Sequence, residues 1–474
     1  MTMRIHALAL PSGPSPSSAH PRGRRPIPSW LVPPGAWLGL AWAVSFPCSI
    51  PAAPALDEIR TRVAAEYPSL ELLYKDLHAH PELSFREVKT AARIAEELRQ
   101  AGFETTSDIG GHGVVGVLRN GTGPTVLVRT DLDALPVKEQ TGVDYASQVR
   151  TTNDLGAEVD VMHACGHDIH MTSLVGTARV LSRLKDRWHG TLVCIGQPAE
   201  ERGQGARRML AEGLFRKFPK PDYCLALHVS SDMEAGSVSV VEGFALANVN
   251  SVDITVRGVG GHGAWPHRTK DPIVLAAQIV LALQTIVSRE TDPLESAVVT
   301  VGSIQGGTKH NIIPDEVKLQ LTVRTFTDEV RAHTLAAIQR IVRGQAASAG
   351  LPEDRMPLVK IEEEESISAS YNTPELARRV AKSLRDALGD AQVVERRPTM
   401  GGEDFGEYGR TTDKIPICIF WLGAVEPERM TESARSGRAL PPLHSSLFRP
   451  APAPTLKTGV TAMTAAVLGL AGVQ

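Results

Sequence analysis

The chain has 474 residues, of which 42% are hydrophobic and 22% charged, with a formal net charge of -3 at pH 7. This balance is typical of a globular protein that is long enough for a large core and two domains. The slight negative charge argues against a nucleic-acid partner or an anionic membrane surface, and the cysteines do not indicate a disulfide framework.

The first 55 residues have the order of a secretory signal peptide. Residues 1–29 are rich in Pro, Ser and Arg, an apolar run follows over 30–46, and small residues follow at 51–55. This order favours export to the periplasm or the medium. The alternative is an extension without a targeting role, or a misassigned start codon, in a cytoplasmic protein. We expect no stable membrane span, because the run contains two prolines and is short, and no other segment reads as long and apolar enough.

Alternating helix and strand patterns occupy residues 56–247 and resume after residue 363. Apolar residues at helical spacing predict helices over 56–102. The further predicted elements are a strand at 125–129, a helix at 168–185 and strands at 191–195, 223–227 and 417–422. This alternation predicts an α/β domain, the catalytic domain, with a mainly parallel sheet.

Residues 248–362 follow a different order. The predicted elements are a strand at 252–256, a helix at 271–289, strands at 297–304 and 317–325, a helix at 329–347 and a strand at 358–361. The order βαββαβ is that of a ferredoxin-like fold. Because the α/β signals resume afterwards, we predict an inserted domain that divides the catalytic domain into residues 56–247 and 363–474.

Short polar clusters along the chain indicate a metal site. They are Cys165-Gly166-His167, Glu200-Glu201, His228 and His444. Cys, His and carboxylate side chains bind divalent transition metals, and several of these residues follow predicted strands, where α/β sheets bind ligands. Each cluster alone has an ordinary explanation, such as a solvated Glu pair or a core histidine, so the prediction depends on their combination. If one Glu binds metal, its neighbour can accept a proton from the attacking water.

Other residues fit supporting roles. Asp131 could orient a ligand or the active-site Glu. His262, in a Gly-rich run, is either part of a hairpin turn or an oxyanion stabiliser. Asn311 and Arg324 could bind a substrate carboxylate, Arg through its two-pronged guanidinium. Residues 401–405 could line the site or cap a helix.

Five motifs, taken together, are specific enough to indicate a family. They are Leu77-His78-Ala79-His80-Pro81-Glu82, Arg129-Thr130-Asp131-Leu132-Asp133, His163-Ala164-Cys165-Gly166-His167-Asp168, Gln197-Pro198-Ala199-Glu200-Glu201 and Met400-Gly401-Gly402-Glu403-Asp404-Phe405. With them the chain resembles the hippurate hydrolase and N-acyl-amino-acid amidohydrolase branch of the aminoacylase and carboxypeptidase metallopeptidase superfamily. Plant auxin-conjugate hydrolases belong to the same branch, and the resemblance covers about residues 70–447.

The resemblance implies two divalent metal ions, which could be Zn, Mn, Co or Ni, and a general base at Glu200. The implied ligands are Cys165, His167, Glu201, His228 and His444. Arg129 stands where related branches carry a metal-binding His, and the Cys-Gly-His cluster looks like its substitute. His262 matches a histidine of the inserted lid domain that often serves the site of a partner subunit, which implies a homodimer or a higher homo-oligomer.

We therefore predict a metal-dependent amidohydrolase that cleaves N-acyl-amino acids to a carboxylic acid and a free amino acid. The nearest alternative is a dipeptidase or carboxypeptidase with the same chemistry. A non-catalytic ligand-binding homologue is a third possibility, against which the complete set of implied ligands argues. In each case the partner is a small molecule.

Overall fold

The computed structural model describes residues 53–472. The α-helices of this part are α1 (Ala53–Ala79), α2 (Val88–Gln100), α3 (His167–Arg183), α4 (Gly205–Ala211), α5 (Leu214–Lys217), α6 (Pro272–Thr285), α7 (Asp328–Ser348), α8 (Pro374–Leu388), α9 (Pro427–Ser436) and α10 (Pro452–Leu468). The strands are β1 (Glu104–Ile109), β2 (Gly113–Asn120), β3 (Thr125–Asp131), β4 (Arg150–Thr152), β5 (Glu158–Asp160), β6 (Gly190–Gln197), β7 (Tyr223–Glu234), β8 (Val238–Val240), β9 (Gly243–Leu246), β10 (Asn248–Arg257), β11 (Gly261–His262), β12 (Ala297–Gly306), β13 (Ile312–Ile313), β14 (Glu316–Thr325), β15 (Leu358–Ile367), β16 (Ser370–Asn372) and β17 (Ile417–Val425).

The larger sheet has seven strands in the order β1-β2-β6-β3-β7-β17-β8. Its four central strands, β6, β3, β7 and β17, run parallel, whereas the pairs at both edges are antiparallel. All nine residues of β17 are buried, as expected of a strand that is covered on both faces. The mainly parallel sheet is therefore confirmed at its centre. The pattern did not predict β1, because most of its side chains are exposed and polar.

The smaller sheet has four antiparallel strands in the order β12-β14-β10-β15. Helices α6 and α7 pack on one face of it and form a separate apolar core. Along β10 buried and half-buried residues alternate, which is typical of a strand covered on one face only. The chain order β10-α6-β12-β14-α7-β15 is the predicted βαββαβ order, so the predicted fold class is confirmed.

The predicted domain boundaries stay predictions, because residues 53–472 belong to one compact unit. Helix α1 begins at Ala53, three residues before the predicted start of the catalytic domain. The rest of the predicted export segment lies outside the described residues.

We expected no second segment to be long and apolar enough to cross a membrane. That expectation was wrong, because one helical stretch has the necessary length and composition. Within residues 53–472 the helical stretch Pro272–Glu290, which comprises α6 and a following π-helical turn, meets both criteria, and 33% of its most apolar window is buried. Its buried residues pack on the smaller sheet. This is weak evidence for a membrane span, because core helices meet the same criteria.

A buried guanidinium joins the larger sheet to the segment before β17. Arg129, at the end of β3, is 2% exposed. Its Nη1 lies 2.7 Å from Asp131 Oδ2, and its Nη2 lies 2.8 Å from Glu403 Oε1 and 3.1 Å from Asp404 Oδ1. Its Nε donates to Gln197 Oε1 at 3.1 Å. Since buried carboxylates are costly unless paired, Arg129 is what allows these acidic residues to meet.

Replacing Arg129 by Met should therefore destabilise the fold strongly. Removing one partner of a buried ion pair costs about 3–5 kcal/mol, because the remaining charges stay buried. The control is Arg119→Met in strand β2 of the same sheet, where the ion pair with Glu104 is exposed and its loss costs less than about 1 kcal/mol. Urea unfolding of the metal-free proteins measures both changes. Equal stabilities of the two variants would contradict the role of Arg129.

Candidate metal centre

His228 and His444 turn Nε2 toward the thiol of Cys165, whereas His167 turns Nε2 toward the carboxylates of Glu200 and Glu201. His167 Nδ1 is bonded to the carbonyl of Asp133 at 2.8 Å, and His228 Nδ1 to the carbonyl of Val229 at 2.8 Å. Because a carbonyl can only accept, both Nδ1 atoms carry a proton, and in the neutral imidazoles Nε2 is the nitrogen that can bind an ion. Such hydrogen bonds are the usual way in which proteins orient metal-binding histidines.

Gly166 allows Cys165 and His167 to face the same point. Its φ is +79°, and a Cβ at this position would come within 2.5 Å of the Val229 side chain. Only glycine meets both conditions without strain. His444 approaches from the other side with a φ of +67°, which is rare for a residue with a side chain.

The donor atoms have the spacing of a metal site. Cys165 Sγ lies 3.6 Å from His228 Nε2 and 3.3 Å from His444 Nε2. Glu201 Oε1 lies 3.6 Å from His444 Nε2 and 3.8 Å from His167 Nε2. A tetrahedral ion with ligands at ordinary distances has edges of about 3.3–3.8 Å between its ligands. The structure thus brings together all five ligands that the sequence predicts.

These donors form two overlapping groups, which suits two ions. Cys165, His167 and His228 make one group, and Cys165, Glu201 and His444 make the other, so that the thiol is shared. His167 Nε2 and Glu201 Oε1 are buried and have no hydrogen-bond partner in the described part of the chain. Buried polar atoms without a partner are costly, and a bound cation satisfies both.

The electrostatics of the site favour cations. Burial raises the pKa of Glu200 well above its usual range, and the charges of Glu403 and Glu201 add to this. Burial also raises the pKa of Glu201 to about 7. Although burial opposes the protonation of His167, the carboxylates of Asp131 and Asp133 raise its pKa to about 10. A metal ion replaces these protons as the source of positive charge.

The thiol of Cys165 leads to the same conclusion. Burial, together with the charges of Glu201 and Glu200, raises its pKa well above the usual range. Helix α3 begins two residues later, and the favourable effect of its N-terminus on a thiolate does not offset this increase. A cation bound at Sγ would favour the thiolate.

Asp131 and Asp133 hold different groups of the site. Asp131 lies 2.8 Å from His170 Nδ1 and 3.7 Å from Nε2 of the predicted ligand His167, and the amide of Val229 donates to His170 Nε2. Both ring nitrogens of His170 are therefore in use, and neither is available to an ion. Asp133 accepts instead from the backbone amides of Glu200 and Glu201, at 3.1 and 3.0 Å.

Sequence reasoning missed His170 and the roles of Asp133 and Arg129. The spacing of His170, three residues after His167 on α3, could have indicated it, since such residues share a helix face. His228 was expected just after a strand but lies within β7, which extends to Glu234. The pairing of β7 with β3 ends at Ala226, so His228 lies two residues beyond the paired part of these two strands.

The donors open into a cavity of about 320 Å³ between the two sheets. The lining residues are Cys165, Glu200, Glu201, Arg202, His228, Val249, Ser251, Arg324, Glu365, Ile367, Gly402 and His444. Arg324, from β14, is thus among the lining residues, and its substrate-binding role stays a prediction. A larger cavity of about 760 Å³ is lined by Asp232, Arg396 and neighbours, but it contains none of the predicted ligands.

His262 and Asn311 lie together but away from this cavity. They occupy the two-stranded ribbon of β11 and β13 and the turn beside it, both exposed, with the amide of Gly263 donating to the Asn311 carbonyl at 2.9 Å. His262 Nδ1 accepts from the amide of Ala264, and its ring packs on Trp265. Neither belongs to the described residues that line the cavity, so their predicted roles are untested in a single chain.

Comparison with known proteins agrees with this site. Residues 127–434 match the model of peptidase family M20/M25/M40. "Thermostable carboxypeptidase 2" of Saccharolobus solfataricus is 35% identical over 384 residues, which are 79% of this chain and 88% of that relative. "Hippurate hydrolase" of Campylobacter jejuni is 36% identical over 343 residues, 71% of this chain and 84% of that relative.

A solved structure extends the likeness to the fold. The structure of a dinuclear metal-binding M20 peptidase from Bacillus subtilis matches with a TM-score of 0.66 and 30% identity, and covers 85% of this chain and 98% of that one. The family match includes more than half of the 474 residues. The chain belongs to peptidase family M20/M25/M40 and is a metal-dependent hydrolase of that family.

Proposed function

We propose that the protein is a two-metal amidohydrolase that cleaves N-acyl-amino acids to a carboxylic acid and a free amino acid. The observation that carries the proposal is the position of Glu200. Its carboxylate lies beside the five donor side chains, with Oε2 at 3.8 Å from His167 Nε2, and it lines the cavity that also holds Arg324. A proton acceptor, a metal centre and a carboxylate-binding group thus share one cavity.

When bound, the two ions polarise the scissile carbonyl and acidify the attacking water. The carboxylate of Glu200 accepts the proton of that water and delivers it to the nitrogen of the leaving amino acid. The backbone amide of Glu200 donates a hydrogen bond to the carboxylate of Asp133, which holds the backbone of Glu200 in place. The ring of His170, fixed between Asp131 and Val229, packs against the ring of His228 at 4.6 Å between centroids.

Arg324 suits the carboxylate of the amino-acid part. Its Nε donates to Thr322 Oγ1 at 2.9 Å, and its Nη1 lies 3.5 Å from the carbonyl of Met400. No carboxylate of the described residues pairs with it, and burial lowers its pKa. A substrate carboxylate would supply the missing counter-charge through a two-pronged hydrogen bond.

A dipeptidase or carboxypeptidase remains the second candidate, since its substrates also carry a free carboxylate beside the scissile amide. The relative named as a carboxypeptidase favours it, whereas the relative named as a hippurate hydrolase favours the acyl-amino-acid reaction. A non-catalytic role has the least support, because Glu200 and all five donor residues are present together.

Metal-stripped protein refilled with Zn, Mn, Co or Ni, and assayed on N-acetyl, N-benzoyl and dipeptide substrates, tests the proposal. We expect turnover of N-acyl-amino acids only after refilling, and faster than turnover of dipeptides. Glu200→Gln should keep its metal and lose about 10²–10⁴-fold in kcat, because the amide cannot accept a proton. Glu375→Gln, at an exposed position of α8, is the control. Full activity of metal-loaded Glu200→Gln would exclude Glu200 as the base.

We further propose that two copies pair through the smaller sheet and so bring His262 of one copy to the cavity of the other. An exposed apolar stripe runs along α6, with Val274 at 55% and Leu281 at 73% exposure. Strand β12 leaves one edge of the smaller sheet unpaired. Both features are typical of surfaces that bury themselves against another chain. In the partner's cavity, His262 would supply a donor for the oxyanion.

Mixing inactive subunits tests the shared site. His262→Ala should lower kcat and kcat/KM together with metal content unchanged, and Glu200→Gln should be inactive. In a mixed dimer one site regains both residues, so a random mixture should recover about a quarter of the wild-type activity. Native mass spectrometry verifies that mixed dimers form. If they form and no activity returns, the site is not shared.

A further inference from the structure

Strand β15 carries a bulge at the mouth of the catalytic cavity. In its pairing with β10, Ile367 stands opposite Val249 and Glu362 opposite Ser251. Four residues, 363–366, therefore stand opposite the single residue Asn250. Bulges of this kind redirect side chains and are common beside functional sites.

The bulge is anchored at both ends. The guanidinium of Arg207 donates to the carbonyls of Glu363 and Ser366. Ser366 is 3% exposed, and its hydroxyl accepts from Asn250 Nδ2 at 2.7 Å. The backbone on both sides of residues 364 and 365 is thus held in place, and the direction of the Glu365 side chain follows from the fold.

Glu365 lines the same cavity as the metal donors and Arg324. Its side chain is exposed, and it makes no hydrogen bond or ion pair with any residue between 53 and 472. The other charges of the lining are accounted for: Glu200 and Glu201 belong to the metal centre, and Arg202 pairs with Asp154 at 3.0 Å. Among the described residues that line the cavity outside the metal centre, one cation, Arg324, and one anion, Glu365, are therefore unpaired and could bind substrate.

We propose that Glu365 is a specificity-determining residue that binds a cationic group of the substrate. The preferred substrates are then Nα-acyl-amino acids whose side chain ends in an ammonium or guanidinium group. The α-carboxylate of such a substrate binds Arg324, and its cationic end binds Glu365. This inference rests on the proposed function, and it names the substrate class of the same site.

Electrostatics predict which substrate side chains bind best. The ammonium group of a lysine-like side chain pairs with the carboxylate of Glu365 in place of water. A neutral side chain of equal length gains nothing from Glu365, and an acidic side chain is repelled. Exposed ion pairs contribute up to about 1 kcal/mol, which corresponds to a two- to fivefold preference. Because the pair is exposed, 0.5 M salt should reduce the preference.

The test compares Nα-acetyl-lysine with Nα-acetyl-norleucine, which has an uncharged side chain of similar length. Calorimetry on metal-loaded Glu200→Gln gives the binding ratio without turnover, and kcat/KM on otherwise wild-type protein gives the kinetic ratio. Adding Glu365→Gln should lower the lysine-to-norleucine ratio about two- to fivefold in both measurements. Glu364→Gln, in the same bulge but outside the cavity lining, should leave the ratio unchanged.

The outcomes distinguish a failure of the inference about Glu365 from a failure of the proposed function. A ratio that is the same in Glu365→Gln and Glu364→Gln overturns the role of Glu365, even if both substrates are hydrolysed. A binding preference that depends on Glu365, in a protein that hydrolyses neither substrate, supports the inference and contradicts the proposed reaction. Alanyl-alanine carries its ammonium at the N-terminus. If Glu365→Gln weakens its binding but not that of Nα-acetyl-lysine, the assignment to the side chain is wrong.

Discussion

The guanidinium of Arg129 lets this fold bury acidic residues where it needs them. It pairs with Asp131 two residues away and with Glu403 and Asp404 more than 270 residues further along the chain. Carboxylates gathered in an apolar interior repel one another and lose their hydration, so without a fixed cation they would separate or become protonated. With Arg129 in place, the segment before β17 packs behind Glu200 and forms one wall of the cavity.

The balance between buried positive and negative charges also explains why the centre suits metal ions. Arg129 neutralises the inner carboxylates, but Glu200, Glu201 and the thiol of Cys165 lie nearer to the cavity, and no lysine or arginine among the described residues pairs with them. Asp131, Asp133 and, to a lesser extent, Glu201 raise the pKa of His167 to about 10 despite its burial. Two divalent cations supply what the residues lack, and the soft thiolate and imidazole donors favour transition metals over magnesium or calcium.

The larger and the smaller sheet contribute different groups to the cavity. The larger sheet and its connecting loops hold every donor and the proton acceptor, at the carboxyl ends of the central strands where α/β sheets expose ligand-binding loops. The smaller sheet contributes Arg324 and Glu365 to the cavity from β14 and β15, and for both we propose contacts with substrate rather than a part in the chemistry. Substitutions in the smaller sheet can therefore alter which amide is chosen while the reaction stays the same. That division agrees with a family whose members bear the names of different amide hydrolases.

The sequence by itself determined the chemistry of the centre, because few side chains bind transition metals and each donor belongs to a short local motif such as Cys165-Gly166-His167. It also determined the order of the elements, because apolar spacing distinguishes helices from buried strands. The tertiary structure alone decided which carboxylate orients which partner: Asp131 and Asp133 are equivalent in the sequence, yet one holds His170 and the other the backbone of Glu200. It also decided that Glu365 faces the cavity, since this depends on a bulge in the pairing of β15 with β10. Hydrogen-bond partners and strand register depend on contacts between residues far apart in the chain, and local sequence patterns do not predict these contacts.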